Sequence, residues 1–295
     1  MNQKHKGIIL MAIGAICFSA KAIFIKLTYQ QFDIDDITLL TLRFGMSLPF
    51  FVIIGLYRYK KGYFKAVSGK DFGVIALLSL LGYYWASWFD FRGLQYISAG
   101  LERIILFSYP TLVIIFSSIF LGKKITRTGL IALVITYLGI AIIALDPKIL
   151  SSKNFALGAG LVLISSVTYA LYLTFGGEMI KKYGSINFNT LAMIFSSVYV
   201  IIHFEVFSNV PIFELPIGVY FYGLALAIIS TVIPTFLVME GIRLLGAGLG
   251  SIVGSIGPVA TVILGYIFLG ETLSLGNSGF RFGISRSFDN REIKK

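Results

Sequence analysis

Nine apolar runs dominate the chain, at residues 7–29, 37–57, 72–91, 98–121, 128–145, 156–177, 188–207, 217–239 and 247–269. A helix rises 1.5 Å per residue, so about 20 apolar residues cross the hydrocarbon core of a bilayer. Each run is long enough, and the connections between them are mostly short. The sequence therefore predicts an all-α integral membrane protein with nine transmembrane helices and no separate soluble domain.

Composition agrees with the runs. Of the 295 residues, 57% are hydrophobic and 13% charged, whereas soluble domains carry about a quarter charged residues. The formal net charge of +11 does not imply a nucleic-acid partner. The basic residues sit in short clusters between apolar runs, where they set topology. With the N-terminus on the cytoplasmic side, the cytoplasmic face receives Lys4, Lys6, Arg58, Lys60, Lys61, Lys65, Lys70, Lys123, Lys124, Arg127, Lys181, Lys182 and Arg243. The outer loops receive only Arg92, Lys148 and Lys153, together with Asp33, Asp35 and Asp36. The bias predicts a multi-pass protein of the cell inner membrane, N-terminus cytoplasmic. Cys17 is the only cysteine, and His5 and His203 are far apart. The expectation is therefore no disulfide, no metal and no cofactor. No phosphate-binding GxxxxGK[ST] loop is present either.

The chain also repeats itself. Residues 93–122 align without a gap onto 241–270, with 11 of 30 positions identical at an offset of 148. The matches include Ala99-Gly100-Leu101 on Ala247-Gly248-Leu249, Pro110 on Pro258, and Phe120-Leu121-Gly122 on Phe268-Leu269-Gly270. The orientation above puts the start of one copy outside and the start of the other inside, so the copies are expected to run in opposite directions, as in many secondary transporters. The expected units are 1–146 and 147–275. Residues 128–145 then map onto 276–293, a polar stretch holding Arg281, Arg286, Asp289, Arg291 and Glu292. Each such charge costs up to about 3 kcal/mol at the centre of a span. The tenth helix that duplication demands is missing or altered, and 276–295 is read as an atypical tail from a frameshift or truncation.

Gly93-Leu94-Gln95-Tyr96-Ile97-Ser98-Ala99, the Pro110 helix ending Leu121-Gly122, and the copy ending Leu269-Gly270-Glu271-Thr272 resemble the EamA family of the drug/metabolite transporter superfamily. The resemblance covers both halves to about residue 275. It implies ten helices in two inverted EamA-type domains moving small metabolites, with the altered tenth helix as the departure.

Charged groups inside a span usually face a cavity or a partner. Lys21 lies mid-way along the first run and is a pathway or ion-pair candidate, with snorkelling as its alternative. Arg43 can meet an anionic substrate or an internal carboxylate. Glu102 and Arg103 are adjacent, so they point about 100° apart and look for different partners. Glu102 is also a candidate proton carrier, since desolvation disfavours a charged carboxylate. Tyr84 and Trp88 fall on one helical face, and Tyr169 and Tyr172 lie on the sixth run; these line either a substrate path or an interfacial belt. Pro110, Pro234 and Pro258 are hinge candidates. The leading functional reading is a secondary transporter of small organic metabolites working by alternating access, in contact with lipid and with proton or ion coupling, its oligomeric state left open. A non-transporting protein of the same fold and a membrane-embedded enzyme are the alternatives.

Overall fold

A computed structural model describes residues 2–63, 67–122, 154–254 and 256–271. Among these residues every regular element is helical, and seven helices are long and apolar enough to cross a membrane. We number them α1 Gln3–Gln31, α2 Asp36–Lys60, α3 Gly69–Gly93, α4 Ala99–Leu121, α5 Phe155–Tyr183 and α6 Ser185–Phe207. The seventh, α7, comprises Ile217–Ala227, a π turn Ile228–Val232 and Ile233–Gly254. A shorter apolar helix, α8, covers Ile256–Leu269. The fifth expected span, 128–145, and the tail 276–295 lie outside the described residues.

Local chemistry sets the helix ends. Asp35, Ser68 and Ser98 act as N-caps, their side chains accepting from the backbone N–H groups of Thr38, Asp71 and Leu101; such contacts satisfy donors that a helix start leaves free. Helix α4 stops at Gly122 (φ 64°) and α8 at Gly270 (φ 65°), left-handed positions that glycine occupies without a Cβ penalty. The sequence places a connection at 240–246, yet α7 remains helical there. No proline interrupts those residues, and Arg243 pairs with Glu240 one turn earlier at 2.6 Å, a spacing that supports a helix.

Some irregularities repeat with the sequence, although the π turn Gly265–Leu269 that ends α8 aligns with regular α-helix at 117–121. The π turn Leu80–Trp85 of α3 begins 148 residues before the π turn Ile228–Val232 of α7. The left-handed caps Gly122 and Gly270 keep the same offset. Alignment at 148 therefore pairs local backbone geometry as well as residue identity.

The two halves pack through each other. The most extensive interface joins α1 to α7, where Gly7 meets Leu245, Gly14 meets Val238 and Gly241 meets Met11. Small residues let backbones approach closely within a bilayer, where apolar burial alone drives little association. Helix α2 lies along α6, and α3 along α5. At the α3–α5 contact a Cβ on Gly82 would stand 2.1 Å from Cγ of Tyr172, so only glycine fits.

Candidate solute site

Five charged side chains are largely buried within this bundle. Lys21 of α1 donates to Asp90 Oδ2 of α3 at 2.5 Å and lies 3.6 Å from Glu102 Oε1 of α4. The Asp90 and Glu102 carboxyls stand within hydrogen-bonding reach of each other. Both are almost wholly buried, at 2% and 0% side-chain exposure. Arg103 is 4.0 Å from Glu102, but its hydrogen bonds run elsewhere, to Thr261 Oγ1 of α8 and to the backbone oxygen of Phe18. The adjacent pair thus turns to different neighbours, as their 100° separation requires. Three carboxylate oxygens, Asp90 Oδ1 and both of Glu102, have no hydrogen-bond donor among the described residues.

Arg43 of α2 forms the edge of this group. Its Nε donates to Thr231 Oγ1 at 2.7 Å and its Nη1 to Ser87 Oγ at 3.2 Å, and it lies against the rings of Phe44 and Phe91. Thr231 is in the second π turn. Tyr83, its counterpart at the 148 offset, is in the first, where its hydroxyl donates to Asn189 Oδ1 of α6. Each of these two π turns therefore hands one side chain to the second helix of the opposite half.

A tyrosine ladder adjoins the charges. Tyr109 meets Tyr169 at 5.1 Å between ring centres, Tyr169 stacks near Tyr172, and Tyr172 meets Tyr83 at 5.1 Å.

Of the residues singled out from sequence, Lys21, Glu102 and Arg103 meet in one network, Arg43 borders it, and Tyr169 and Tyr172 belong to the ladder. Tyr84 and Trp88 do not join them. Both pack on His203, Tyr84 by a 2.8 Å hydrogen bond and Trp88 ring to ring at 5.0 Å. The π turn explains the difference: it inserts a residue into the helical repeat, so Tyr83, not Tyr84, faces the interior. Pro110 follows a break at Phe107–Ser108. Lacking an N–H, it leaves the Leu106 carbonyl free, and Ser166 of α5 donates to that oxygen at 3.3 Å. Pro234 is the second residue after the π turn Ile228–Val232 and Pro258 lies within α8; Pro49, not among the candidates, lies inside α2.

Sequence reasoning did not select Asp90, Tyr83, Tyr109 or Asn189. Asp90 had a visible signal, a carboxylate inside the run 72–91, but it reads as a helix end beside Arg92.

Comparison with known proteins settles the family. The model of the EamA-like transporter family matches residues 5–145 and again 156–277. The chain belongs to the EamA-like transporter family. An uncharacterized transporter, YcbK of Bacillus subtilis (strain 168), is 31% identical over 288 residues, covering 93% of this chain and 89% of that protein. A second uncharacterized transporter from the same organism, YyaM, is 23% identical over 268 residues, covering 90% and 87%. A solved crystal structure shares the fold with a TM-score of 0.63 at 14% identity, covering 92% of this EamA chain and 90% of its own. As an EamA protein, the chain is a membrane transporter built from two matched segments.

Proposed function

We propose that this EamA chain is a secondary carrier of small organic solutes, working by alternating access between two inverted halves in the cell inner membrane, with its N-terminus cytoplasmic. The observation that carries the reading is the network of Lys21, Asp90, Glu102 and Arg103. Buried ionisable groups in a bilayer are costly to keep and mark solute or ion paths. These four come from α1, α3 and α4 and bond onward to α8, so helices of both halves converge on them.

Helix ends support the inverted arrangement. Lys182 at the end of α5 pairs with Asp71 at the start of α3, and Gly218 at the start of α7 abuts Phe32 beyond the end of α1. Followed along the chain, α3 runs from the Lys182 end to the Phe32 end, and its copy α7 runs back. Exchanging the conformations of two such halves opens a central site to either side in turn. The paired π turns and the proline-bearing segments supply places where the helices can bend. Glu102, facing Asp90 with no donor of its own, is the proton carrier in this reading, because one proton shared between the two carboxyls fills the vacancy of both.

Flux into proteoliposomes from a panel of labelled metabolites tests the proposal. At least one solute should cross in a protein-dependent way, and Lys21→Ala should cut that flux at least about tenfold with normal insertion. Undiminished flux in Lys21→Ala removes the network from the path.

A further inference from the structure

Arg43 is the cation that the network leaves uncompensated. Asp90 and Glu102 serve Lys21, and Glu102 also lies 4.0 Å from Arg103. Among the described residues no carboxylate forms an ion pair with Arg43, although Asp90 is within electrostatic range. Its residue is 4% exposed, and its two hydrogen-bond partners are neutral hydroxyls. Arginine does not shed its proton in proteins, so the charge persists, and a buried charge without a counter-ion is unfavourable.

Unpaired polar groups gather beside it. The Asn189 amide nitrogen, the Tyr172 hydroxyl and the Ser230 hydroxyl are buried with no hydrogen-bond partner. Two of them, on Asn189 and Tyr172, stand near Arg43 through shared neighbours, whereas Ser230 only adjoins Thr231 in the chain, and adjacent helical residues point about 100° apart. Ser87, which accepts from Arg43, lies one helical turn beyond Tyr83. The Tyr83 hydroxyl is bonded to the Asn189 side chain and stands beside that of Tyr172. Ser230 directly precedes Thr231, the other acceptor for Arg43. All three can donate, and the amide nitrogen can only donate. A buried cation and converging unpaired donors suit an anion, and the rings of Tyr169, Tyr172 and Phe188, stacked in series, offer an apolar wall beside them.

We propose that the solute carries a carboxylate, which binds as the missing counter-ion of Arg43, with one oxygen on its guanidinium and the other on the Asn189 amide and Tyr172 hydroxyl. The inference rests on the carrier reading and names the charge of its cargo. Lys21 and Arg103 face Asp90 and Glu102 within their own network, which is left to coupling.

Thermal unfolding of the purified full chain in detergent tests this without requiring transport. The probes are acetate, butyrate, benzoate and phenylacetate, each compared with its neutral amide at constant chloride. At least one carboxylate should stabilise the protein at a concentration about tenfold or more below its amide. Arg43→Gln and Asn189→Asp should abolish that preference, and Arg43→Lys should keep part of it. If no carboxylate outperforms its amide on the unaltered chain, or if the preference survives in both Arg43→Gln and Asn189→Asp, the anion subsite is overturned. If neutral or cationic solutes cross proteoliposomes while no carboxylate binds, the carrier stands and this inference alone falls. Carboxylate binding with no flux of any solute reverses that result.

Discussion

Asp90 and Glu102 share one cation but have different work. Asp90 makes the 2.5 Å contact to Lys21, whereas Glu102 stays 3.6 Å away and receives no donor on either oxygen. Removing one partner of a buried pair leaves the other charge unpaired, which costs about 3–5 kcal/mol. Asp90→Asn should accordingly lower stability by about 3 kcal/mol, read as a clear fall in the thermal midpoint of the detergent-purified chain. Glu102→Gln is expected to behave otherwise. Its amide can donate to Asp90 Oδ1 much as a protonated carboxyl would, so the midpoint should stay close to that of the unaltered chain. Transport driven by a pH gradient should fall at least about tenfold, and flux should lose its dependence on pH. A Glu102→Gln carrier that keeps full pH-driven flux would show that the proton travels elsewhere. Lys21, Glu102 and Arg103 were legible in the sequence because a charge inside an apolar run is conspicuous. Asp90 was less so, since its place near Arg92 reads as an interfacial helix end until α1 is packed against it. Asn189 carries no sequence signal, because an amide in a span acquires meaning only through its neighbours.

At the scale of elements, the π turns decide which side chains face inward. The turn at Leu80–Trp85 brings Tyr83 to Asn189, and the turn at Ile228–Val232 brings Thr231 to Arg43. Periodicity cannot reveal them, because a stripe counted at 3.6 residues per turn assumes an unbroken α-helix; Tyr84 and Trp88 do share a face, but it meets His203 while Tyr83 reaches Asn189. The apolar character of the helices and the position of Pro110 were readable from residues alone, whereas the caps were not read and the expected connection at 240–246 is helical. The first π turn also relies on Gly82, whose missing Cβ admits the Tyr172 ring. Gly82→Ala should destabilise the chain by about 1–3 kcal/mol through overpacking and displace Tyr172 from the ladder. Gly45→Ala is the control: a Cβ there meets nothing within 4 Å, and alanine is the better helix former, so the thermal midpoint should hold or rise. Equal losses in both variants would mean that glycine matters in this bundle for reasons other than close packing.

For the molecule as a whole, duplication explains more than any single motif. The 148-residue offset unites aligned residues, two π turns and two left-handed glycine caps, and the family model matches the chain twice. Sequence could show the duplication because it conserves residue identity. It could not show that the halves pack through each other, since the α1–α7, α2–α6 and α3–α5 interfaces set glycines against side chains far apart in the chain. The central claim is that the copies traverse the bilayer in opposite senses, with a solute path where they meet. Tyr96 and Leu244 occupy the same place in the two copies, so one cysteine at each, introduced separately into a Cys17→Ser chain, compares the copies directly. In intact cells, a membrane-impermeant maleimide should label Tyr96→Cys and spare Leu244→Cys until the membrane is opened. Labelling of both from outside, or protection of both, would place the two copies in the same orientation and contradict the account.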